Sequence, residues 1–200
     1  LWEDAAVKSP GAPEPSIRLG TIHRGAGQRA YAEYQQLLRD EQRPAALRKR
    51  EEAQFEFGAA MHYLQQAVEL KPDDARLRNT LGMTLAIMNK RDEAIAMLAE
   101  ALRLDPSLQE CTVQLGSFYG MNPEDPVNTD GKQRALDYYE RAARLGPLPA
   151  DAAANYAASL ARLGNAVGAA QVIAPYASSA EPKSVPAAML QQLKPTVEAA

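Results

Sequence analysis

The feature that most constrains the fold of this chain is an internal repeat with helical spacing, which is clearest in residues 75–108. The first half of this segment places Leu77, Leu81 and Leu85 four residues apart, on one face of an amphipathic helix. A polar break follows at residues 89–92. The second half then places further apolar residues at helical spacing, namely Ala94, Ile95, Leu98, Ala101 and Leu102. The segment therefore predicts two short helices, and neither can bury its apolar face alone.

Three single residues define how these two helices begin, end and cross. Gly82 lies inside the first helix, where glycine costs roughly 1 kcal/mol relative to alanine. We infer that the helices approach so closely at Gly82 that only glycine fits. Asp92 is the expected N-cap of the second helix. Pro106 follows the end of that helix, where a proline can begin the next one.

The same spacing recurs along most of the chain. A copy with an insertion in its turn includes Leu115, Gly116, Tyr119, Ala135, Tyr139, Ala142 and Pro147. A looser copy includes Tyr156, Ala157, Leu160, Gly164, Ala169 and Ile173. We also expect a shorter copy within residues 19–37. Near the start, Trp2, Ala5 and Pro10 have the spacing of Leu98, Ala101 and Pro106, and Trp2 is expected to pack in the core.

The stretch from residue 44 to residue 70 departs from the pattern. Its second half contains Ala60, Leu64 and Ala67 at the right spacing. However, Arg48 stands where a small crossing residue is expected, and Gly58 comes late. We therefore expect either one long helix or an irregular pair of helices in this stretch.

The motif formed by Leu81, Gly82, Leu85, Ala94, Leu98, Ala101 and Pro106 resembles the tetratricopeptide repeat (TPR) motif. The resemblance covers most of the chain, from residue 1 to residue 173. It implies an all-α fold of helix-turn-helix repeats of about 34 residues, stacked in a right-handed superhelix, a TPR solenoid. Residues 1–10 would be the second helix of a truncated repeat, and residues 11–176 the repeat array. Residues 177–200 would be a linker and a C-terminal capping helix.

The resemblance implies a non-catalytic scaffold that binds a protein or peptide on its concave wall, which the first helix of each repeat lines. The predicted groove residues are Arg76, Asn79, Met83 and Ile87 in the best repeat, Val113, Gln114, Ser117 and Met121 in the next, and Asn155, Ala158 and Arg162 in the last. The first copy would contribute Ile17, Thr21 and Arg24. This mixture of apolar and amide side chains favours an extended or helical peptide.

The same comparison disfavours a receptor for chaperone tails. Receptors of that kind hold a terminal carboxylate with lysine, arginine and asparagine side chains on successive first helices. In this chain Asn79 is present, but Val113, Ser117 and Ala158 stand where further residues of that clamp are expected.

Composition and motifs argue against several other functions. The formal charge of −3 and the isoelectric point near 5.5 do not indicate the basic face of a nucleic-acid-binding protein. The sequence contains no GxSxG motif, no glycine-rich phosphate loop and no HExxH motif. We therefore predict no catalytic residue, no metal site and no cofactor.

The few residues with reactive side chains are expected to be structural. His23 and His62 are predicted to have surface or core roles, and Cys111 to be a small buried residue. The basic cluster is predicted to form a solvated helix face, with contact to phosphate as the alternative. Its members are Arg43, Arg48, Lys49 and Arg50, followed at once by Glu51 and Glu52.

The insertion at residues 121–132 has three interpretations. It is a solvated turn, a loop that contacts a partner, or a loose calcium site built from Asp125, Asn128 and Asp130. An EF-hand loop is excluded because Pro126 stands where an acidic residue is needed.

Three hypotheses describe the protein to which this chain belongs. Residues 1–10 and the following Arg18-Leu19-Gly20 resemble the junction between membrane and repeat domains in multi-spanning bacterial proteins, some of them O-mannosyltransferase-like. The chain is then an interaction module tethered to a membrane protein, or an accessory domain of a membrane-bound glycosyltransferase-like enzyme. The third hypothesis is a soluble assembly or secretion cofactor. Because the chain begins with Leu1, we expect upstream sequence, so an extracytoplasmic and a cytoplasmic location both stay open, as does the oligomeric state.

Overall fold

The computed structural model of this chain describes residues 2–121 and 130–177. These residues are helical throughout, apart from turns. The helices are α1 (Trp2–Lys8), α2 (Pro13–Arg39), α3 (Arg43–Leu70), α4 (Ala75–Ile87), α5 (Arg91–Leu104), α6 (Gln109–Met121), α7 (Gly131–Leu145), α8 (Ala150–Arg162) and α9 (Ala166–Ala177). The chain divides into two compact units, Leu1–Pro106 and Ser107–Ala200. Helices α1–α5 belong to the first unit and α6–α9 to the second, and each unit contains two antiparallel helix hairpins.

Helices α4 and α5 form the hairpin that the best repeat predicts. Asp74 caps α4, because its Oδ1 accepts hydrogen bonds from the backbone N–H groups of Arg76 and Leu77 at 3.0 and 3.1 Å. The prediction of Asp92 as the cap of α5 is wrong. Helix α5 begins at Arg91, and Lys90 is its N-cap residue. Asp92 lies instead in the first turn, where its negative charge interacts favourably with the helix dipole.

The expected close crossing at Gly82 is confirmed. A Cβ atom added to Gly82 would lie 2.8 Å from two side-chain carbons of Leu98 on α5, and Leu98 is completely buried. In the second unit Gly116 on α6 faces the ring of Tyr139 on α7 in the same way, at 3.1 Å. The glycine therefore marks the point where the two helices of a hairpin touch most closely.

Residues 13–70 form one long hairpin. The prediction of a short, complete repeat within residues 19–37 is wrong, because α2 continues unbroken through it. Gly25 and Gly27 interrupt the helical pattern there, but each costs only roughly 1 kcal/mol, and the ring of Phe57 packs onto Gly27. The prediction of one long helix over residues 44–70 is confirmed by α3.

This long hairpin has the same plan as α4–α5, with both helices lengthened equally. Helix α2 has 27 residues against 13 in α4, and α3 has 28 against 14 in α5, so each is longer by 14. Fourteen residues are two heptads, after which side chains return to nearly the same face. Accordingly, Gly20 faces Leu64, and Gly27, seven residues later, faces Phe57, seven residues earlier. We call the inserted part, residues 26–56, the extension.

The turns of three hairpins, α2–α3, α4–α5 and α8–α9, share one geometry. The middle turn residue has a positive φ in each of the three: 59° at Glu41, 58° at Asn89 and 83° at Gly164. The backbone N–H of each of these residues donates to the carbonyl three residues earlier. The next N–H donates to the carbonyl five residues earlier. This pattern closes a helix C-terminus, so the extension moves the turn outward without changing it.

Helix α1 contributes little to the core of the first unit. It has no buried residue. Trp2 is half-buried, and the guanidinium carbon of Arg18 lies 5.9 Å from its ring centroid. The expectation that Trp2 packs in the core is therefore wrong, since the seven residues of α1 lie at the edge of the unit against α2.

Two sequence predictions fall on residues that the structure does not describe. The capping helix is predicted within residues 178–200, and most of the insertion lies within residues 122–129. None of the described helices is both long enough and apolar enough to cross a membrane.

The crossing at Gly82 leads to a stability prediction. Gly82→Ala should lower the free energy of unfolding by about 1–3 kcal/mol, because the new methyl group overlaps a buried leucine that has no room to move. Urea denaturation followed by far-UV circular dichroism measures this change. Gly58→Ala is the matched control, since Gly58 lies within α3 and an added Cβ meets nothing within 4 Å. It should raise stability by about 0.5–1 kcal/mol, and equal effects at the two sites would contradict the proposed crossing.

Candidate functional site

In the second unit, four predicted groove residues lie around one cleft. Ser117 on α6 and Asn155, Ala158 and Arg162 on α8 line a cleft of about 280 Å³, together with Gly120 and Tyr139. Helices α6 and α8 are the first helices of two successive hairpins and contact one another. Ser117 and Arg162, which are 45 residues apart in sequence, therefore line the same cleft.

The floor of the cleft is a network of hydroxyl and amide groups. Tyr139 is almost completely buried, and its hydroxyl shares a 3.0 Å hydrogen bond with the Ser117 hydroxyl. The Asn155 side chain also hydrogen-bonds to Tyr139. Burial raises the pKa of the Tyr139 phenol, and the two hydrogen bonds lower it by less. The floor is therefore neutral at physiological pH and offers hydrogen bonds without charge.

The rim of the cleft provides its charge. Arg162 is exposed and donates one hydrogen bond from Nη1 to the backbone carbonyl of Gly120, at 3.2 Å. Among the side chains that line this cleft, Arg162 alone carries a charge. Its remaining N–H groups can donate to a carbonyl or carboxylate oxygen of a bound molecule.

The other predicted groove residues of the second unit lie elsewhere. Val113 packs against the core cluster that contains Ala153 and Ile173. Gln114 is half-buried and does not line the cleft. Met121 is the last residue of α6, and its side chain is outside the described part of the structure.

In the first unit, the predicted groove residues do not share one cleft. Arg76 is exposed at the start of α4, and Met83 is half-buried. Ile87 lies in a separate depression between α4 and the extension. Two buried atoms, Asn79 Oδ1 and Arg24 Nε, have no hydrogen-bond partner within the described residues. An unmet buried hydrogen bond costs about 1–3 kcal/mol.

Sequence reasoning missed the role of Tyr139 in the cleft. Tyr139 occupies the position of Leu98 in the pattern, where it was assigned to packing. Its ring does pack on Gly116, but its hydroxyl reaches the cleft. A tyrosine at a position that is leucine in the best repeat is the signal that identifies a polar floor.

The two histidines have partners on the helices of the long hairpin. His23 Nδ1 lies 2.7 Å from Glu56 Oε2, and the His23 ring stacks on Tyr63 with centroids 5.6 Å apart. His62 Nε2 lies 3.2 Å from Gln66 Nε2. Within residues 2–121 and 130–177, no group of three or more His, Cys, Asp and Glu side chains is arranged to hold a metal ion.

Parts of this chain are similar to known proteins. Residues 52–110 match the tetratricopeptide repeat family. A segment of 64 residues is 36% identical to the peroxisomal targeting signal receptor of Candida albicans, and it covers 32% of this chain and 11% of that receptor. The chain thus corresponds to a small part of that relative.

Two crystal structures of similar proteins cover nearly the whole chain. MamA superposes with a TM-score of 0.62, at 14% identity, over 100% of this chain and 88% of its own. YrrB, a TPR protein with an unusual peptide-binding site, superposes with a TM-score of 0.55, at 18% identity, over 96% of this chain and 97% of its own. At such identities these similarities show a shared fold.

The polar floor of the cleft can be tested through its hydroxyl group. Tyr139→Phe should lower the free energy of unfolding by about 1–2 kcal/mol, because it removes the hydrogen bonds that the Tyr139 hydroxyl makes with Ser117 and Asn155. Chemical denaturation provides the measurement. Tyr156→Phe is the control, since this half-buried hydroxyl has no hydrogen bond within the described residues. If both variants lose the same stability, the Tyr139 hydroxyl does not organise the cleft.

Cys111 should be unreactive in the folded chain. It is fully buried, and burial raises the pKa of its thiol to about 12 from the usual 9.0. Three pKa units reduce the thiolate population about a thousandfold at mildly alkaline pH. Alkylation by iodoacetamide, followed by mass spectrometry, should therefore be at least that much slower in the native chain than in denaturant. Rapid labelling of the native chain would show that α6 opens.

Proposed function

Since residues 52–110 are a tetratricopeptide repeat segment and the hairpins of both units have the fold of TPR proteins, we propose that this chain is a scaffold that binds a segment of another protein. The observation that carries the proposal is the cleft on the second unit. Ser117, Asn155 and Arg162 lie together there on the first helices of successive hairpins. Ser117 and Asn155 bond to Tyr139, Ser117 also bonds to the Val113 carbonyl, and Arg162 bonds to the Gly120 carbonyl. The other donors and acceptors of Asn155 and Arg162 are left for a ligand.

The chemistry of the cleft favours a peptide backbone as ligand. Its hydroxyl and amide groups both donate and accept hydrogen bonds, as the alternating N–H and C=O groups of an extended chain require. Arg162 would bond to a peptide carbonyl or to an acidic side chain at the rim. Among the residues that the structure describes, no leucine, isoleucine, valine or methionine side chain lines the cleft, so we propose that affinity here comes from hydrogen bonds rather than from a buried anchor side chain.

Observations on two relatives support a peptide as ligand. YrrB is described as a TPR protein with an unusual peptide-binding site. The Candida albicans relative is a receptor for a peroxisomal targeting signal. In the first unit of this chain, Asn79 and Arg24 have buried polar atoms without hydrogen-bond partners. We propose that a bound backbone supplies those partners, with Met83 beside Asn79 on the same helix face.

Site-specific photo-crosslinking in the native host tests this function. A photoreactive residue at Ala158, which lines the cleft, should capture a defined partner. The same residue at Ala99, an exposed position on α5, should not capture that partner. Mass spectrometry of the adduct then gives the partner and the segment that it contributes.

The charge at the rim provides the matched variants. Arg162→Glu should reduce the captured adduct about tenfold, because it replaces attraction to the ligand by repulsion. Arg144→Glu makes the same charge change at an exposed position near the end of α7, outside the cleft, and should have little effect. No capture at Ala158, or equal loss in both variants, would contradict the proposal.

The context of the scaffold is a further part of this proposal. We propose an interaction module within a larger protein, and the predicted alternatives are an accessory domain of a membrane-bound glycosyltransferase-like enzyme and a soluble assembly or secretion cofactor. The sequence that the gene encodes upstream of this chain distinguishes these alternatives. Multiple apolar membrane spans encoded upstream favour the enzyme or another membrane protein. A secretion signal or lipoprotein cysteine, with little else upstream, favours the cofactor.

A further inference from the structure

A second depression, of about 310 Å³, lies in the first unit where the extension meets the turn between α4 and α5. Tyr31 and Tyr34 of α2 form one side, and Phe57 of α3 lies beside them. Ile87 of α4 forms the opposite side. We call this depression the corner pocket. It exists because α2 and α3 continue two heptads beyond the level at which α4 and α5 turn.

Much of the surface of the corner pocket is apolar and accessible. Tyr31 is 46% exposed and Ile87 is 44% exposed. The rings of Tyr31 and Tyr34 lie 5.6 Å apart and tilted. Beneath them, Phe57 is buried and packs with Met88 of the α4–α5 turn. Exposed apolar side chains that adjoin one another mark interaction sites more often than isolated ones do.

The apolar surface continues along the extension. Leu38 follows Tyr34 by four residues on α2, and Leu47 precedes Arg50 by three residues on α3, so each continues the same helix face. Leu38 is 42% exposed and Leu47 is 55% exposed. The residues that hold the hairpin together are different ones, including the buried Ala46 and Ala53. The exposed stripe is thus not needed to pair α2 with α3.

The corner pocket has one cation and no anion in its lining. Arg50 is exposed at its edge and makes no ion pair within the described part of the chain. Its neighbour Lys49 is different, because its Nζ lies 2.8 Å from Glu33 and 2.9 Å from Glu52. The basic cluster of the sequence is therefore divided: Lys49 is neutralised within the hairpin, whereas the Arg50 guanidinium stays open to a carboxylate.

We propose that the corner pocket binds a partner segment in which a large apolar side chain stands next to an aspartate or glutamate. The apolar side chain would lie between Tyr31, Phe57 and Ile87, and the carboxylate would accept hydrogen bonds from Arg50. Complementary charge selects this occupant over a basic or wholly apolar segment. The proposal does not depend on the cleft of the second unit, which lies on other helices.

Peptide selection tests the chemistry of the occupant. A displayed library of random 12-residue peptides is selected on the complete chain, and an enriched peptide is synthesised with a fluorophore for anisotropy titration. The expected motif pairs an aromatic or aliphatic residue with an acidic one. Changing that acid to its amide should weaken binding about tenfold. Binding of the acidic peptide should also weaken as salt is raised.

Two charge-reversal variants locate the binding site. Arg50→Glu should weaken binding of the acidic peptide at least about tenfold and reverse its dependence on salt, because salt then screens a repulsion. Arg48→Glu is the matched control: it is exposed on the same helix but lies about 200° around it from Arg50, and it should change binding little. Both substitutions are on the surface, and circular dichroism checks that the variants fold.

Several outcomes would overturn the proposal. They are a library that yields no binder, enriched peptides without an acid, and equal weakening by Arg48→Glu and Arg50→Glu. A peptide that is lost with Arg162→Glu but not with Arg50→Glu would be bound in the cleft of the second unit. A dimer of the chain that dissociates with Arg50→Glu, seen by sedimentation, would instead assign the pocket to a second copy.

Discussion

The contact on which three of the hairpins depend is a glycine of one helix against a large side chain of the next. Gly82 against Leu98, Gly20 against Leu64 and Gly116 against Tyr139 are the same contact in three settings. Without a Cβ on the glycine, the two backbones approach closely enough for the larger side chain to be completely enclosed. In these three hairpins the contact fixes the register and the distance of the helix pair, and it thereby places the neighbouring side chains.

In both candidate sites, the large residue that faces the glycine also forms part of the site. In the second unit the large residue is a tyrosine rather than a leucine, so the contact that closes the α6–α7 hairpin also delivers a hydroxyl to the cleft beside Ser117. In the first unit the contact is repeated at Gly27 and Phe57, and this second occurrence forms the base of the corner pocket. The floor of the cleft is polar because Tyr139 has a hydroxyl group, and the base of the corner pocket is apolar because Phe57 has none.

Sequence reasoning succeeded where one period governs the structure. The spacing around Gly82 predicted α4 and α5. The TPR resemblance, applied at helical spacing, predicted one wall that includes Ser117, Asn155 and Arg162, and these three side chains line one cleft. Sequence reasoning failed for α2, where the pattern within residues 19–37 predicted a shorter copy of the repeat, although the helix runs unbroken past Gly25 and Gly27. A glycine that breaks a helix and one that admits a neighbouring helix are indistinguishable until the partner is known. Val113 shows the other limit: periodicity gives the face of a helix, but not whether a neighbouring helix covers it. Whether the groove residues bind a peptide stays a prediction.

The two-heptad difference between the long and the short hairpin restricts how such proteins can evolve by insertion. An insertion that is not close to a whole number of helical turns would rotate the glycine face of α2 away from α3. The insertion would also have to occur in both helices at once to keep the turn closed. The length of the hairpin is therefore adjustable only in steps, each of about 10 Å per heptad. The extension amounts to two such steps, and it carries Tyr31 and Arg50 past the end of α4 while Gly20 and Leu64 stay in contact. Protein engineers can treat this hairpin as an arm of selectable length, whose tip can be redesigned without disturbing its base.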